Sequence, residues 1–178
     1  MRDLFAIAGV VFMLLVVPPK TLGKGATTKI VIEGVDLAKP VVITDREKLA
    51  KFNVWAGPGT FSTQPGFAAN APSFIVDWRK GPVGPPPGEV RKYRVSFYSE
   101  KTGEKPIYIV DYVIGDGLSG GYVYLPGKSD DRWRLNVSSI VHGVEGQWFH
   151  AWSAWERVAK PMIEEGSRRP ACFAAGPC

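Results

Sequence analysis

Between Tyr93 and Asn136, apolar and aromatic runs alternate with clusters of turn residues. Lys101-Thr102-Gly103 parts the first two runs, Gly115 to Gly121 the next two, and Pro126 to Asp131 the last two. Runs rich in Val, Ile, Tyr and Phe, punctuated by Gly, Asp and Pro, predict consecutive antiparallel strands in a meander. From Tyr93 to Ser99, period-two alternation turns Tyr93, Val95 and Phe97 inward and Arg94, Ser96 and Tyr98 outward. From Ile107 to Ile114 both faces are apolar or aromatic: Ile107, Ile109 and Val113 on one, Tyr108, Val110, Tyr112 and Ile114 on the other. That run is expected at the centre of the sheet, covered on both sides, with Asp111 interrupting its first face. Tyr122 to Leu125 reads as the next strand, and Trp133 to Val137 alternates as the last.

Upstream, Lys29 to Glu33 and Val41 to Thr44 predict two more strands, the first ended by Gly34 and the second entered at Pro40. Asp45 then predicts an N-cap for a short helix from Arg46 to Phe52, with Leu49 and Phe52 on one face. Asn53 to Pro72 is irregular, and its Trp55, Phe61 and Phe67 are expected to fold back on the body. Ser73 to Trp78 predicts a further strand. Arg79 to Glu89 must be a loop, because three consecutive prolines can neither donate ladder hydrogen bonds nor sit inside a helix. Its P-x-x-P spacing, Pro82 to Pro85, fits a rigid exposed loop better than a docking peptide.

Near the C-terminus, Trp148, Trp152, Trp155, Ala159 and Met162 fit helical spacing and admit one long helix from about Gln147. Ser153-Ala154-Trp155-Glu156 is a capping box, which favours a helix starting at Ala154 after extended chain, kinked at Pro161 and closed by Gly166. Together the elements predict a β-rich α+β fold: an antiparallel meander sheet with a short N-terminal helix and a C-terminal helix.

The 178 residues, 45% hydrophobic and 22% charged, suit one globular domain that needs no staples. Met1-Arg2-Asp3 leads into an apolar stretch from Leu4 to Val17, of signal-peptide length and short of the roughly 20 residues that span a bilayer. The expected organisation is a signal peptide over 1–23, cut there or as late as 26, a single domain over 24–166, and a tail over 167–178. An uncleaved N-terminal anchor is the alternative. The chain is thus expected to be exported, to the periplasm, the cell surface or the medium, with no stable membrane span once processed. Processing removes Arg2, Lys20 and Asp3, taking the formal charge from +5 to about +4. That is compatible with weak attraction to anionic envelope polymers and far below a nucleic-acid-binding density. Cys172 and Cys178 are expected to close a small disulfide ring in an oxidising compartment, contributing about 2 kcal/mol in the chain-entropy model. Their C-x5-C spacing is not that of a thioredoxin-like redox pair.

No catalytic constellation accompanies the strands. Gly115 to Gly120 formally matches G-x-G-x-x-G, but strand-like Gly121 to Pro126 follows where dinucleotide binding needs a helix N-terminus. The match is a glycine-rich connection, and no cofactor is expected. His142 and His150 could share a metal with Glu145 or Asp111, or one could act as base for Ser138 or Ser139. Eight residues apart across Gly143 and Gly146, they match no familiar ligand spacing. Asp111, between Val110 and Tyr112, must be hydrogen-bonded or paired if buried, and Arg94 or Arg134 are the expected partners. Asn136-Val137-Ser138 matches an N-glycosylation sequon, without meaning in a bacterial host. The aromatics Tyr108, Tyr112, Tyr122, Tyr124, Trp133, Trp148 and Trp152 belong either to the core or, where exposed on one sheet face, to a surface for sugar rings or a partner protein.

The segments GYVYLPG (121–127), RLNVSSIVHGVEGQWFHA (134–151) and AWERVAKPMI (154–163) resemble a group of small exported bacterial proteins. Ile43-Thr44-Asp45, followed by Phe52-Asn53-Val54-Trp55, belongs to the same pattern. The resemblance covers most of the mature chain and carries over no activity and no site residue. The leading functional expectation is a non-enzymatic cell-envelope or extracellular binding module, its surface drawn from Tyr108, Tyr112, Tyr122, Tyr124 and Trp133. Its partner would be an envelope polymer or protein, and nucleic acid is not expected. The alternative is a small hydrolase or metal-dependent enzyme using His142 and His150 with Glu145 or Asp111, and a third possibility is a purely structural envelope protein.

Overall fold

The computed structural model describes residues 26–60, 73–100, 102–115 and 120–167. The expected signal peptide, Phe61 and Phe67, most of the glycine-rich connection and the Cys172/Cys178 pair lie outside the described residues. Among these, seven strands form one antiparallel sheet: β1 (Thr27–Gly34), β2 (Val41–Ile43), β3 (Pro82–Val83), β4 (Val90–Ser99), β5 (Tyr108–Gly115), β6 (Tyr122–Tyr124) and β7 (Trp148–His150). Their spatial order is β2-β1-β4-β5-β6-β7-β3. Strand β5 is fourth of seven, the central place that its two apolar faces demand.

Register divides the sheet into two faces. Ile30 and Ile32 stand beside Phe97 and Val95, which stand beside Tyr108 and Val110, while Tyr93, Tyr112, Val123 and Phe149 continue the same side across β4, β5, β6 and β7. All of these are buried, and they form the core face. The C-terminal helix α3 (Ser153–Ser167) covers it, burying Trp155, Ala159 and Ile163 at successive four-residue steps on one stripe. The Trp155 ring meets Phe52 edge-on at 5.2 Å and Tyr112 at 5.8 Å. At the helix start, Glu156 does not close the capping box but accepts the Gly121 N–H and pairs with Lys160. Gly121 itself admits no side chain, since a Cβ there would lie 2.5 Å from the Tyr112 ring. The helix runs on through Pro161 and Gly166 to Ser167. Before the sheet's central strands, Asp45 accepts the Lys48 N–H and caps one turn, α1 (Arg46–Leu49), which ends three residues short of Phe52.

Two expected strands do not form. Ser73 to Trp78 makes only isolated bridges, Ser73 to Phe52 and Val76 to Ala151, before a 3-10 turn over Trp78–Lys80. Phe74, Ile75, Val76 and Asp77 are all buried, so no side alternates outward, and the backbone bonds are shared among several neighbouring segments. Trp133 to Val137, expected as the last strand of the meander, is instead the helix α2 (Trp133–Ser139). Asp130 starts it by accepting the Arg132 N–H on its side chain and the Trp133 N–H on its carbonyl. The last meander position is taken by β7. Ser96, expected outward, is buried beside Ile109.

Helix α2 solves a backbone problem on β5. Strand β6 pairs only with Asp111 to Val113, and the register carried forward would bring Pro126, which has no N–H, opposite Ile109. Asn136 takes that place: its Oδ1 accepts the Ile109 N–H at 2.8 Å and its Nδ2 donates to the Ile109 carbonyl at 2.8 Å. The amide is fully buried, so the sequon it heads is closed in the folded protein. Asn136→Leu would leave both backbone groups of Ile109 buried and unpaired, and it should lower the unfolding free energy in urea by about 2–4 kcal/mol. A loss below about 0.5 kcal/mol would show that the amide is not what completes the ladder.

Candidate functional site

Alternation along β5 decides which tyrosines can meet a ligand. Tyr108 and Tyr112 point to the core face and are 0% exposed, and among the described residues no partner bonds their hydroxyls. Burial holds both phenols well above the ordinary tyrosine range. Neither can form part of a surface. Tyr122 and Tyr124 on β6 point to the opposite, open face and are half-buried. On neighbouring β7 each finds a ring directly across: Tyr122 meets His150 with centroids 4.9 Å apart, and Tyr124 meets Trp148 at 5.0 Å. The two rungs make a four-ring strip across β6 and β7. Trp133 opens α2, half-buried, and Trp152 packs into the core against Phe52.

Beside the strip lies a charged cluster on the same face. Asp111 stands opposite Tyr124 in the register and is 1% exposed. Its partners are not Arg94 or Arg134. Arg132, delivered by the start of α2, grips both carboxylate oxygens, and the Lys92 ammonium lies 2.8 Å away. The remaining face of the Arg132 guanidinium binds Asp130, whose carboxyl is held down to about 2 by those hydrogen bonds. The same carboxylates hold the guanidinium firmly protonated. Lys92 and Arg132 border an open cleft of about 720 Å³, together with Arg91 and Arg94 and the carboxylates Glu33, Asp36 and Asp111. Arg94 is exposed and, among the described residues, no carboxylate lies within ion-pair distance of it.

The histidines do not converge. His150 is a member of the open-face strip, whereas His142 lies across the sheet, 1% exposed, ringed by Phe74, Trp78 and Tyr108. Glu145 accepts the backbone N–H of His142 at 2.6 Å and so serves the loop. Asp111, locked by two cations, is on the face away from His142. Among the described residues no group of three or more His, Cys, Asp or Glu side chains is arranged to hold a metal. The sequence singles out His150 only as a metal ligand or base and Arg94 only as a partner for Asp111, and it does not point to Lys92 or Arg132. The available signal was Asp111 itself, which required cationic partners; β4 supplies Lys92 and the start of α2 supplies Arg132. Comparison with protein-family models, curated proteins and solved structures finds no match to this chain.

Burial depresses the His142 imidazole below its ordinary value. The ring is therefore neutral at pH 7, and Nδ1, 3.0 Å from the Pro58 carbonyl, carries the proton and donates it. Its folded value lies below the unfolded one, so the unfolded chain binds the proton more readily. Stability is fully present above about 6.5 and is lost as the pH falls below it. Chemical denaturation from about pH 7 to about pH 5 should show that decline, and His142→Gln should flatten it. Equal slopes for the two proteins would mean that His142 titrates as it does unfolded.

Proposed function

We propose that this chain is an exported, non-enzymatic binding module that docks on a cell-envelope polymer through the open face of its sheet. The observation carrying the reading is the four-ring strip of Tyr122, His150, Tyr124 and Trp148, partly exposed and opposite the core. The core face already has α3 to cover it, so these rings are not needed to close the fold. Flat aromatic surfaces with polar tips stack on the apolar faces of sugar rings and still hydrogen-bond at their edges. A row of two rungs suits an extended ligand laid across strands better than a small molecule enclosed in a pocket. Export is supported by the apolar segment Leu4 to Val17, whose length suits a signal peptide, and envelope polymers are met beyond the membrane.

Co-sedimentation with the insoluble envelope polymer of the producing cell tests the reading. The wild-type domain should pellet with the polymer. A Tyr124→Ser/Trp148→Ser double variant should stay in the supernatant while its melting temperature changes by only a few degrees. Equal pelleting of both proteins, or none by either, would refute docking through this face.

A further inference from the structure

The aromatic strip and the charged cleft lie on one line across the sheet. Register runs Glu33, Arg94, Asp111, Tyr124, Trp148 along successive neighbours β1, β4, β5, β6 and β7, all on the open face. With strands about 4.8 Å apart, Arg94 lies about 10 Å from Tyr124 and about 14 Å from Trp148 along that line. Between them the buried Asp111 carboxylate is covered by Arg132 and approached by Lys92, so the track passes from rings to a guanidinium and an ammonium without a bare anion. Asp111 and Asp130 take four of the five N–H donors of Arg132. Arg94 remains exposed, with its two cross-strand neighbours, Glu33 and Asp111, both beyond ion-pair distance.

We propose that the polymer taken by this face is acidic: a glycan whose sugar rings lie on Tyr124 and Trp148 and whose carboxylate or phosphate reaches Arg94 in the adjoining cleft. The inference rests on the open-face reading and adds to it the chemical class of the ligand. An anionic oxygen is what complements an unpaired guanidinium at the end of an aromatic track, since arginine offers a planar fork of donors to carboxylate and phosphate alike. Glu33, facing Arg94 from β1, weakens that attraction in the free protein and makes a second handle on it.

Titration calorimetry at low salt with oligogalacturonate, a phosphomannan, an unsubstituted mannan and inorganic phosphate tests the assignment. One of the acidic glycans should bind while the neutral mannan binds at least about tenfold more weakly, and which acidic glycan it is separates carboxylate from phosphate. Arg94→Glu should cut that affinity by about tenfold or more, Glu33→Gln should raise it, and added salt should weaken it. Both positions are exposed, so Glu33→Gln should melt with the wild type, and Arg94→Glu, which faces Glu33 and Asp111, should melt a few degrees lower and still fold. Neutral and acidic glycans binding alike, or indifference to both substitutions, would overturn the acidic assignment and leave the open-face reading standing. Inorganic phosphate binding as tightly as phosphomannan, unaffected by Trp148→Ser, would overturn the continuous track. Failure of every glycan, together with failure to pellet with envelope polymer, would overturn both readings.

Discussion

A carboxylate inside the central strand governs how this sheet is built. Asp111 is nearly inaccessible, and an unpaired charge there would cost several kcal/mol. It is satisfied by Lys92 from the adjacent strand and by Arg132 from the helix that follows β6. That requirement, with the paired hydrogen bonds of Asn136 to Ile109, fixes α2 against the sheet where a strand could not continue. Removing one partner of such a buried pair typically costs about 3–5 kcal/mol, whereas a well-packed apolar replacement of the whole group is often neutral. The cluster is therefore better explained by the placement it imposes than by net stability. It brings two cations to a face that already carries aromatic rings.

The same two-residue period distributes the aromatics. Tyr93, Phe97, Tyr108 and Tyr112 go to the core side, where α3, Phe52 and Phe74 close over them in edge-on and tilted contacts. Tyr122, Tyr124, Trp148 and His150 go to the other side, where no helix lies over the strip among the described residues. Stability and recognition thus draw on the same residue types, separated by strand parity.

Much of this was legible in the sequence. The turn clusters at Thr102-Gly103 and around Gly115 to Gly121 bound real strands, and the double-faced apolar run at Ile107 to Ile114 marks the centre of the sheet. The C-terminal helix is announced by the Ser153 to Glu156 box and by the spacing of Trp155 and Ala159, although the buried stripe continues to Ile163 and not to the expected Met162. Trp133 to Val137 misleads because its alternation is short; Asp130 starts the helix through local bonds to Arg132 and Trp133, while Asn136 acts as a ladder substitute only through its tertiary contact with Ile109. The binding strip was half legible for a related reason. Tyrosines could be counted along β5 and β6, but sorting Tyr108 and Tyr112 from Tyr122 and Tyr124 requires knowing which side α3 covers. The pairing of Asp111 was foreseeable as a need and not as a partner, since Arg132 stands 21 residues away and depends on α2 for its direction.

Hydroxyl-radical footprinting of the free domain and of the domain bound to envelope polymer tests the two-faced sheet most directly. Tyr122, Tyr124, Trp148 and His150 should be modified in the free protein and shielded by the polymer, while Tyr93, Tyr108 and Tyr112 stay protected in both until global unfolding. Modification of Tyr108 or Tyr112 in the native protein, or an open-face strip that labels equally with and without polymer, would contradict the account.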